Sequence, residues 1–200
     1  MLDTNKINAL KSLDLRAFLF DMDGVLYDSM PFHAQAWSYA FEQEGIAFDH
    51  YNVYMREGMT GSSTVEEVFE SQLHKKATEE DCKRIYKVKA DYFNSLGEAK
   101  EVPHVADVIR FIQQNHKSIF LVTGSGQLTL IDRLEHSFPG AFVKERMVTA
   151  FDVKKGKPDP EPYLMALKKG GLSPNQAIVI ENAPMGVRSA KAAGVFTIAV

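Results

Sequence analysis

The sequence contains a single cysteine, Cys82, among its 200 residues. An internal disulfide and a zinc site built from several thiolates are therefore excluded. The sequence also lacks an apolar run near the roughly 20 residues that a membrane-spanning helix needs, and residues 1–15 have no signal-peptide core. The formal net charge of −3 provides no basic field for nucleic acid or for an anionic membrane. We therefore expect a cytoplasmic protein that binds neither nucleic acid nor membrane.

What the sequence does contain is an alternation of short apolar segments with helical periods. The apolar segments predict strands, and the first three end at polar or glycine-containing turns. Strands and helices in alternation indicate an α/β protein, with a Rossmann-like parallel sheet that helices cover on both faces. The predicted strands are Ala17–Phe20, Ser118–Thr123, Ala177–Ile180 and Val195–Val200.

The stretch from Pro31 to Glu101 differs, because only helical periods occur in it. Three or more amphipathic helices are predicted there, and we interpret them as a helical cap inserted after the first strand. The predicted division is a core of residues 1–31 and 103–200 and a cap of residues 32–102. Because the last strand would leave an uncovered edge at Val200, we expect the natural protein to continue beyond it. Nothing resembles a coiled-coil seam, and we expect a monomer.

The candidate functional residues come directly after predicted strands. In open parallel sheets ligands bind at the carboxyl ends of the strands, so we expect these side chains to lie close together. A lysine in the segment GKPDPEPY, just before a predicted helix, completes the set. The candidates are Asp21, Asp23, Thr123, Gly124, Ser125, Lys157, Glu181 and Asn182.

This set suits phosphoryl transfer with Mg²⁺, which takes one or two carboxylates together with water and substrate phosphate. Asp21 and one of the pair Glu181 and Asn182 could provide those ligands. A carboxylate can also be a nucleophile and form an aspartyl phosphate, while a second carboxylate carries a proton as general acid and base. Hydroxyl groups after the second strand and the lysine would hold the phosphoryl oxygens of a small phosphorylated substrate.

Four segments in order, DMDGVLYDS, VTGSG, GKPDPEPY and IENAPMGVRSAKAAG, resemble the four motifs of the haloacid dehalogenase superfamily of phosphotransferases. They are most similar to its β-phosphoglucomutase-like branch, which has a helical cap after the first motif. The resemblance covers residues 17–200 and implies the fold of that superfamily. It implies that Asp21 is the nucleophile and a metal ligand, and that Asp23 is the general acid and base and gives its backbone carbonyl to the metal. It also implies that Thr123 is the hydroxyl of the second motif and Lys157 the cation of the third.

Two positions depart from the pattern of many relatives. The fourth motif has Asn182 where many relatives have an acid, and the cap has Gly61 where the mutases have a phosphate-binding arginine. The segments VTGSGQL and VIENAP and the acid Glu57 are similar to inorganic pyrophosphatases of the superfamily from Bacteroides-type bacteria. We expect Glu57 to close over the site and to bind the magnesium shell, directly or through water. The metal ligands implied are Asp21, Asp23, Glu181 and Asn182.

Three residues keep alternative interpretations. Glu181 could be a hydrogen-bond acceptor instead of a ligand, Gln127 could donate to a leaving phosphate, and His33 is interpreted as a packed or hinge residue. The function expected is a Mg²⁺-dependent hydrolase of pyrophosphate or a small phosphate ester. A sugar-phosphate mutase is the first alternative, and a phosphate-binding module without activity is the second.

Overall fold

The computed structural model of the protein describes residues 12–200, in which five strands form one sheet. The strands are β1 Ala17–Phe20, β2 Ser118–Val122, β3 Met147–Val148, β4 Ala177–Glu181 and β5 Phe196–Ala199. They are all parallel and lie in the order β3-β2-β1-β4-β5. Phe20 lies opposite Leu121 and Ile180, so the loops that follow the three central strands begin at one edge of the sheet.

Eight α-helices accompany the sheet within the described residues. They are α1 Met30–Glu42, α2 His50–Met55, α3 Gly61–Leu73, α4 Glu79–Ser95, α5 Val105–Gln114, α6 Leu128–Ser137, α7 Glu161–Gly170 and α8 Pro184–Ala192. The first five lie between β1 and β2. Among the first four, which form the cap, α4 packs against α1 and α3. The predicted helical cap is confirmed, although α1 begins at Met30 and thus before the predicted cap boundary at residue 32. The division into residues 1–31 and 103–200 against 32–102 stays a prediction.

Separate hydrophobic clusters lie on the two faces of the sheet, as the alternation of side chains along a strand requires. Phe20 packs with Ile109 of α5 and Leu134 of α6 on one face. Leu19, its neighbour in β1, packs with Tyr163 of α7 on the other. The cap has a cluster of its own, which includes Trp37, Phe41 and Phe69.

The strand predictions are confirmed with small differences at the ends. The strand predicted at Ser118–Thr123 ends at Val122, and the one predicted at Ala177–Ile180 extends to Glu181. The last covers Phe196–Ala199 instead of Val195–Val200. β3 is not predicted, because two residues at the edge of the sheet are too few for a recognisable alternation. Within residues 12–200 no helix has the length and apolar character of a membrane span.

Candidate active site

The site begins at the end of β1, where Asp21 and Asp23 leave the sheet. The N–H of Asp21 donates to the carbonyl of Ile180 in β4 at 3.0 Å, which holds the start of the loop. Gly24 then has a φ of +79°, which glycine adopts without steric cost, and its N–H donates to the carbonyl of Tyr27 at 2.7 Å. Both carboxylates are buried although they lie only two residues apart.

Asp21 is held by a buried cation. Lys157 Nζ donates to Asp21 Oδ1 at 2.7 Å and to Glu181 Oε1 at 2.6 Å, and a third bond goes to the carbonyl of Val122 at 3.0 Å. Burial raises the pKa of Asp21 to about 7; Lys157 opposes that rise and the charge of Glu181 adds to it. Burial lowers the pKa of Lys157, but its two carboxylate partners outweigh burial and raise that pKa well above its ordinary value.

Glu181 is the second carboxylate partner of Lys157. Its Oε1 also accepts from Tyr163 Oη at 3.0 Å, and its Oε2 accepts from the N–H of Ala183 at 3.0 Å. Gly186 leaves room for this carboxylate, since a Cβ there would lie 1.6 Å from Glu181 Oε1. With both oxygens engaged by the protein, the geometry favours Glu181 as a hydrogen-bond acceptor over Glu181 as a metal ligand.

Asp23 has different partners. Ser29 Oγ donates to Asp23 Oδ1 at 2.6 Å, and His33 Nε2 lies 2.8 Å from the same oxygen. Burial raises the pKa of Asp23, but His33 and Ser29 outweigh burial and hold that pKa below its ordinary value. Burial also lowers the pKa of His33, so a neutral ring with its proton on Nε2 is the donor. His33, interpreted from the sequence as a packed or hinge residue, thus contacts the candidate acid and base directly.

The loop after β2 supplies hydroxyl groups and N–H groups ahead of α6. Thr123 Oγ1 accepts from the N–H of Ser125 at 3.0 Å, and Ser125 Oγ accepts from the N–H of Gln127 at 3.2 Å. The N–H of Thr123 donates to the carbonyl of Val148 in β3 at 2.9 Å, which ties the loop to the sheet. Backbone N–H groups at the start of a helix bind anions well, so Thr123, Gly124 and Ser125 lie where a phosphoryl group could be held.

The cap places Glu57 opposite the fourth motif. Asn182 Nδ2 donates to Glu57 Oε1 at 2.6 Å, while Asn182 Oδ1 is buried without a hydrogen-bond partner in the described part of the chain. Burial raises the pKa of Glu57 to about 8; the bond from Asn182 opposes this rise and the charge of Asp21 adds to it. The expectation that Glu57 lies over the site fits this geometry, and its role with a metal stays a prediction.

The cap is closed on the core through main-chain contacts. A Cβ on Gly124 would lie 2.1 Å from the carbonyl oxygen of Gly58 in the cap. Tyr86 of α4 accepts a hydrogen bond from the N–H of Gly126 at 3.1 Å, and its ring lies against Gly61, where a Cβ would be 2.3 Å from Tyr86 Cδ2. A larger residue at Gly61 would therefore require the Tyr86 ring to shift in the closed protein.

A cavity of about 50 Å³ lies between cap and core. Its lining joins the two candidate carboxylates and the loop after β2 to side chains of the cap. Of the predicted residues, Asp21, Asp23, Glu57, Thr123, Gly124 and Ser125 line it, together with His33, Tyr86 and Lys89, which were not predicted. Lys157 and Asn182 are not part of the lining. Each is hydrogen-bonded to a residue that is, Lys157 to Asp21 and Asn182 to Glu57.

Lys89 is a further cation at this cavity, and its side chain is only 1% exposed. Burial lowers its pKa to about 7, and the charge of Asp23 opposes this decrease. The sequence contains a signal for this lysine, because Lys89 lies on the buried face of α4 with Cys82, Ile85 and Phe93. A lysine on the apolar face of an amphipathic helix is rare unless it has a partner.

The site contains carboxylate and amide oxygens of the kind that bind Mg²⁺. No group of three His, Cys, Asp or Glu side chains among residues 12–200 is arranged as a metal cage, but Mg²⁺ requires only one or two carboxylates beside amide oxygens, water and substrate. The unpartnered Oδ1 of Asn182 is a free ligand atom of that type. Four carboxylates, those of Asp21, Asp23, Glu57 and Glu181, lie at or beside the cavity with two buried lysines, Lys89 and Lys157. Negative charge therefore exceeds positive charge there, and a divalent ion would neutralise it.

Comparison with known proteins shows the family to which the sequence is similar. The model of the haloacid dehalogenase-like hydrolases matches residues 18–200. A phosphorylated carbohydrates phosphatase of Thermotoga maritima is 30% identical over 90% of this chain and 82% of that protein. Hexitol phosphatase A of Escherichia coli is 30% identical over 92% of this chain and 82% of that protein.

Solved structures share both the sheet and the cap. A Bacteroides vulgatus protein, provisionally assigned as a β-phosphoglucomutase, superposes with a TM-score of 0.92 and is 50% identical, over 98% of this chain and 82% of that one. The β-phosphoglucomutase of Clostridium difficile superposes with a TM-score of 0.78 at 25% identity, over 92% of this chain and 84% of that one.

Proposed function

The chain belongs to the haloacid dehalogenase-like hydrolase family, and on that premise we propose that it is a Mg²⁺-dependent phosphohydrolase acting through an aspartyl phosphate. The curated relatives establish the coarser class, an enzyme similar to phosphatases and phosphoglucomutases. The observation that carries the finer proposal is the pair of buried carboxylates with separate partners: Asp21 bound to Lys157, and Asp23 bound to Ser29 and His33.

The first step is attack of Asp21 on the phosphorus atom of the substrate. Lys157 holds Oδ1, which leaves Oδ2 to form the new P–O bond while the bond to the leaving group breaks. Lys157 also offsets the negative charge that develops on the phosphoryl oxygens. The hydroxyl of Thr123 and the N–H of Gly124 hold the same oxygens.

The second step is hydrolysis of the aspartyl phosphate. Asp23 removes a proton from a water molecule, the water oxygen bonds to phosphorus, and the bond from phosphorus to Asp21 breaks. A general base must lie within hydrogen-bond reach of that water, and Asp23 lines the same cavity as Asp21. Ser29 and His33 both bond to Oδ1 of Asp23, which leaves Oδ2 toward the water.

Asp21, the backbone carbonyl of Asp23, Asn182 Oδ1 and Glu57 would hold the Mg²⁺ ion. When bound, the ion supplies positive charge that polarises the phosphoryl group. Glu57 belongs to the cap, so the ligand set is complete only when the cap is closed. Glu57 thereby contributes the negative charge that Asn182 lacks.

The size of the closed site supports a compact substrate, with inorganic pyrophosphate as the first candidate. The cavity is about 50 Å³, whereas an apolar cavity that admits benzene is about 150 Å³. Lys89 lines the cavity and Lys157 is bonded to Asp21 beside it, so two cations are near enough to offset the charge of an anionic leaving group. A small phosphate ester is the second candidate, since the names of the relatives refer to phosphorylated carbohydrates and hexitols.

The cap argues against a sugar-phosphate mutase. Such an enzyme needs a grip on a second phosphate of a bisphosphate, and Gly61 occupies the position of the mutase arginine. Tyr86 fills the space beside Gly61, so an arginine there would require the Tyr86 ring to shift in the closed cap.

The test is to measure phosphate release with Mg²⁺ from pyrophosphate and from p-nitrophenyl phosphate, and glucose 6-phosphate formation from β-glucose 1-phosphate with its bisphosphate. We expect pyrophosphate to give the highest kcat/KM, Asp21→Asn to be inactive, and Asp23→Asn to be slower by about 10²- to 10⁴-fold. Faster formation of glucose 6-phosphate would contradict the hydrolase assignment. Turnover by purified Asp21→Asn would contradict the covalent mechanism.

A further inference from the structure

Gln127 lies where cap and core meet, and its side chain is 2% exposed. Its Oε1 accepts from Lys89 Nζ at 3.4 Å, and its Nε2 donates to Asn94 Oδ1 at 2.8 Å. Lys89 and Asn94 both belong to α4 of the cap, whereas Gln127 belongs to the core loop between β2 and α6. One core side chain therefore bonds two cap side chains.

Lys89 has few other groups to fix its direction. The charge of Asp23 attracts it across the cavity. The faces of three aromatic rings also surround it, with Nζ 4.9 Å from the centroid of Phe93, 5.5 Å from that of Tyr86 and 5.7 Å from that of Trp37. Aromatic faces attract an ammonium group without prescribing a hydrogen-bond direction. Within residues 12–200, Gln127 Oε1 is the hydrogen-bond acceptor of Lys89.

We propose that Gln127 is a positioning residue for Lys89, which it holds at the wall of the cavity when the cap is closed. The proposal rests on the proposed function, in which Lys89 faces the reacting phosphoryl group. Gln127 does not line the cavity, so its amide bonds side chains of the cap and does not donate to the leaving phosphate. When the cap opens, α4 carries Lys89 and Asn94 away from Gln127, and the ammonium group is placed only in the closed enzyme.

The kinetic test compares Gln127→Met, Lys89→Met and the double variant. Gln127→Met keeps the length of the side chain and removes both hydrogen bonds, and we expect kcat to fall about tenfold with little change in KM. Because two residues that act as a unit are not additive, the double variant is expected to be no slower than Lys89→Met. The control is Thr129→Val, which removes a hydroxyl that donates to Asn94 at 3.1 Å and accepts from Gln127 Nε2 at 3.5 Å but does not bond Lys89. Because the bond between Gln127 Oε1 and Lys89 remains, this variant is expected to stay within about twofold of wild type.

A second readout requires no turnover. Trp37 is the single tryptophan of the sequence, and its ring faces the Lys89 ammonium group, so its emission reports where that charge lies. Gln127→Met is expected to change the emission in the same direction as Lys89→Met, and Thr129→Val is expected to leave it unchanged. Emission would keep this pattern even if the hydrolase assignment failed.

Additive losses in kcat, or wild-type emission from Gln127→Met, would overturn the proposal. An equal loss in Thr129→Val would also overturn it, because that result indicates general loosening of α4. If Gln127→Met does not fold, Gln127→Glu keeps an oxygen for Lys89 and is expected to retain kcat within about threefold. If kcat falls as much in Gln127→Glu as in Lys89→Met, the proposal is also overturned.

Discussion

Asp21 and Asp23 lie two residues apart, yet their surroundings divide their chemistry. Asp21 faces Lys157 and the second carboxylate Glu181, whereas Asp23 accepts from Ser29 and His33. A pair of titratable groups in different environments is the arrangement that separates a nucleophile from a general acid and base. The excess of negative charge that remains around them is the physical reason to expect a divalent cation.

A substitution at Glu57 tests whether a divalent cation binds at this site. We expect Glu57→Gln to raise the Kd for Mg²⁺ by about tenfold or more, because it removes a charge from the ligand set. The measurement is the increase in Tm with added Mg²⁺, since an ion that binds only the folded protein stabilises it. The control is Glu66→Gln, an exposed change on α3. The same Mg²⁺ dependence in Glu57→Gln and wild type would show that Glu57 has no part in binding the metal.

Among the helices, α4 contributes most of the cap side of the site. Tyr86, Lys89 and Asn94 all belong to it, and they reach Gly126 and Gln127 of the core. Its N-terminus has a capping box, in which the Thr78 side chain accepts from the N–H of Asp81 and the Asp81 carboxylate accepts from the N–H of Thr78. The capping box fixes the N-terminus of α4 and thereby helps to position its later turns against the core.

The capping box predicts a pH dependence of stability. The N–H and hydroxyl of Thr78 and the side chain of Arg84 lower the pKa of Asp81 from 3.8 to about 2. Because the pKa of the folded state is lower than that of the unfolded state, this carboxylate stabilises the fold above about pH 4, and the contribution is lost as the pH falls toward about 2. We expect the difference in Tm between wild type and Asp81→Asn to shrink over that range. A difference that is independent of pH between 5 and about 2 would refute this origin.

The whole molecule is a core and a cap that meet through close backbone contacts. Gly58 of the cap lies against Gly124 of the core, and Thr60 of the cap lies against Gly156, where a Cβ would be 2.7 Å from Thr60 Cγ2. Closure buries the two aspartates and brings Glu57 to Asn182. A closed cap would exclude bulk water from the proposed reaction, as lids commonly do.

Gly124→Ala is predicted to prevent full closure. The added Cβ would lie 2.1 Å from the carbonyl oxygen of Gly58, and neither main-chain segment can yield as a flexible side chain would. Overpacking of this kind costs about 1–3 kcal/mol, which the cap can avoid by staying open. We expect kcat to fall by about tenfold or more and small-angle scattering to show a larger radius of gyration, while the circular dichroism spectrum is unchanged. Wild-type turnover and scattering would argue that the two loops separate easily.

The sequence by itself determined the parallel α/β core, the helical cap and most of the candidate residues. These are local properties, since a strand is recognised from its own alternation and the four motifs from their order along the chain. The sites of Asp21, Asp23 and Thr123 follow from the rule that ligands bind at the carboxyl ends of parallel strands, whereas Lys157 is identified from the segment GKPDPEPY. β3 was not predicted, because two residues are too few to show the alternation of a strand.

Only the tertiary structure decided which partners these residues have. Lys89 and Gln127 are 38 positions apart, and nothing in either segment indicates that the docking of α4 would bring them together. Glu57 and Asn182 are 125 positions apart; the sequence predicts Glu57 over the site, but the hydrogen bond between the two side chains is known only from the tertiary structure. The physical reason is that hydrogen bonds and burial depend on the closed arrangement of cap and core, and that arrangement is set by the packing of the whole chain.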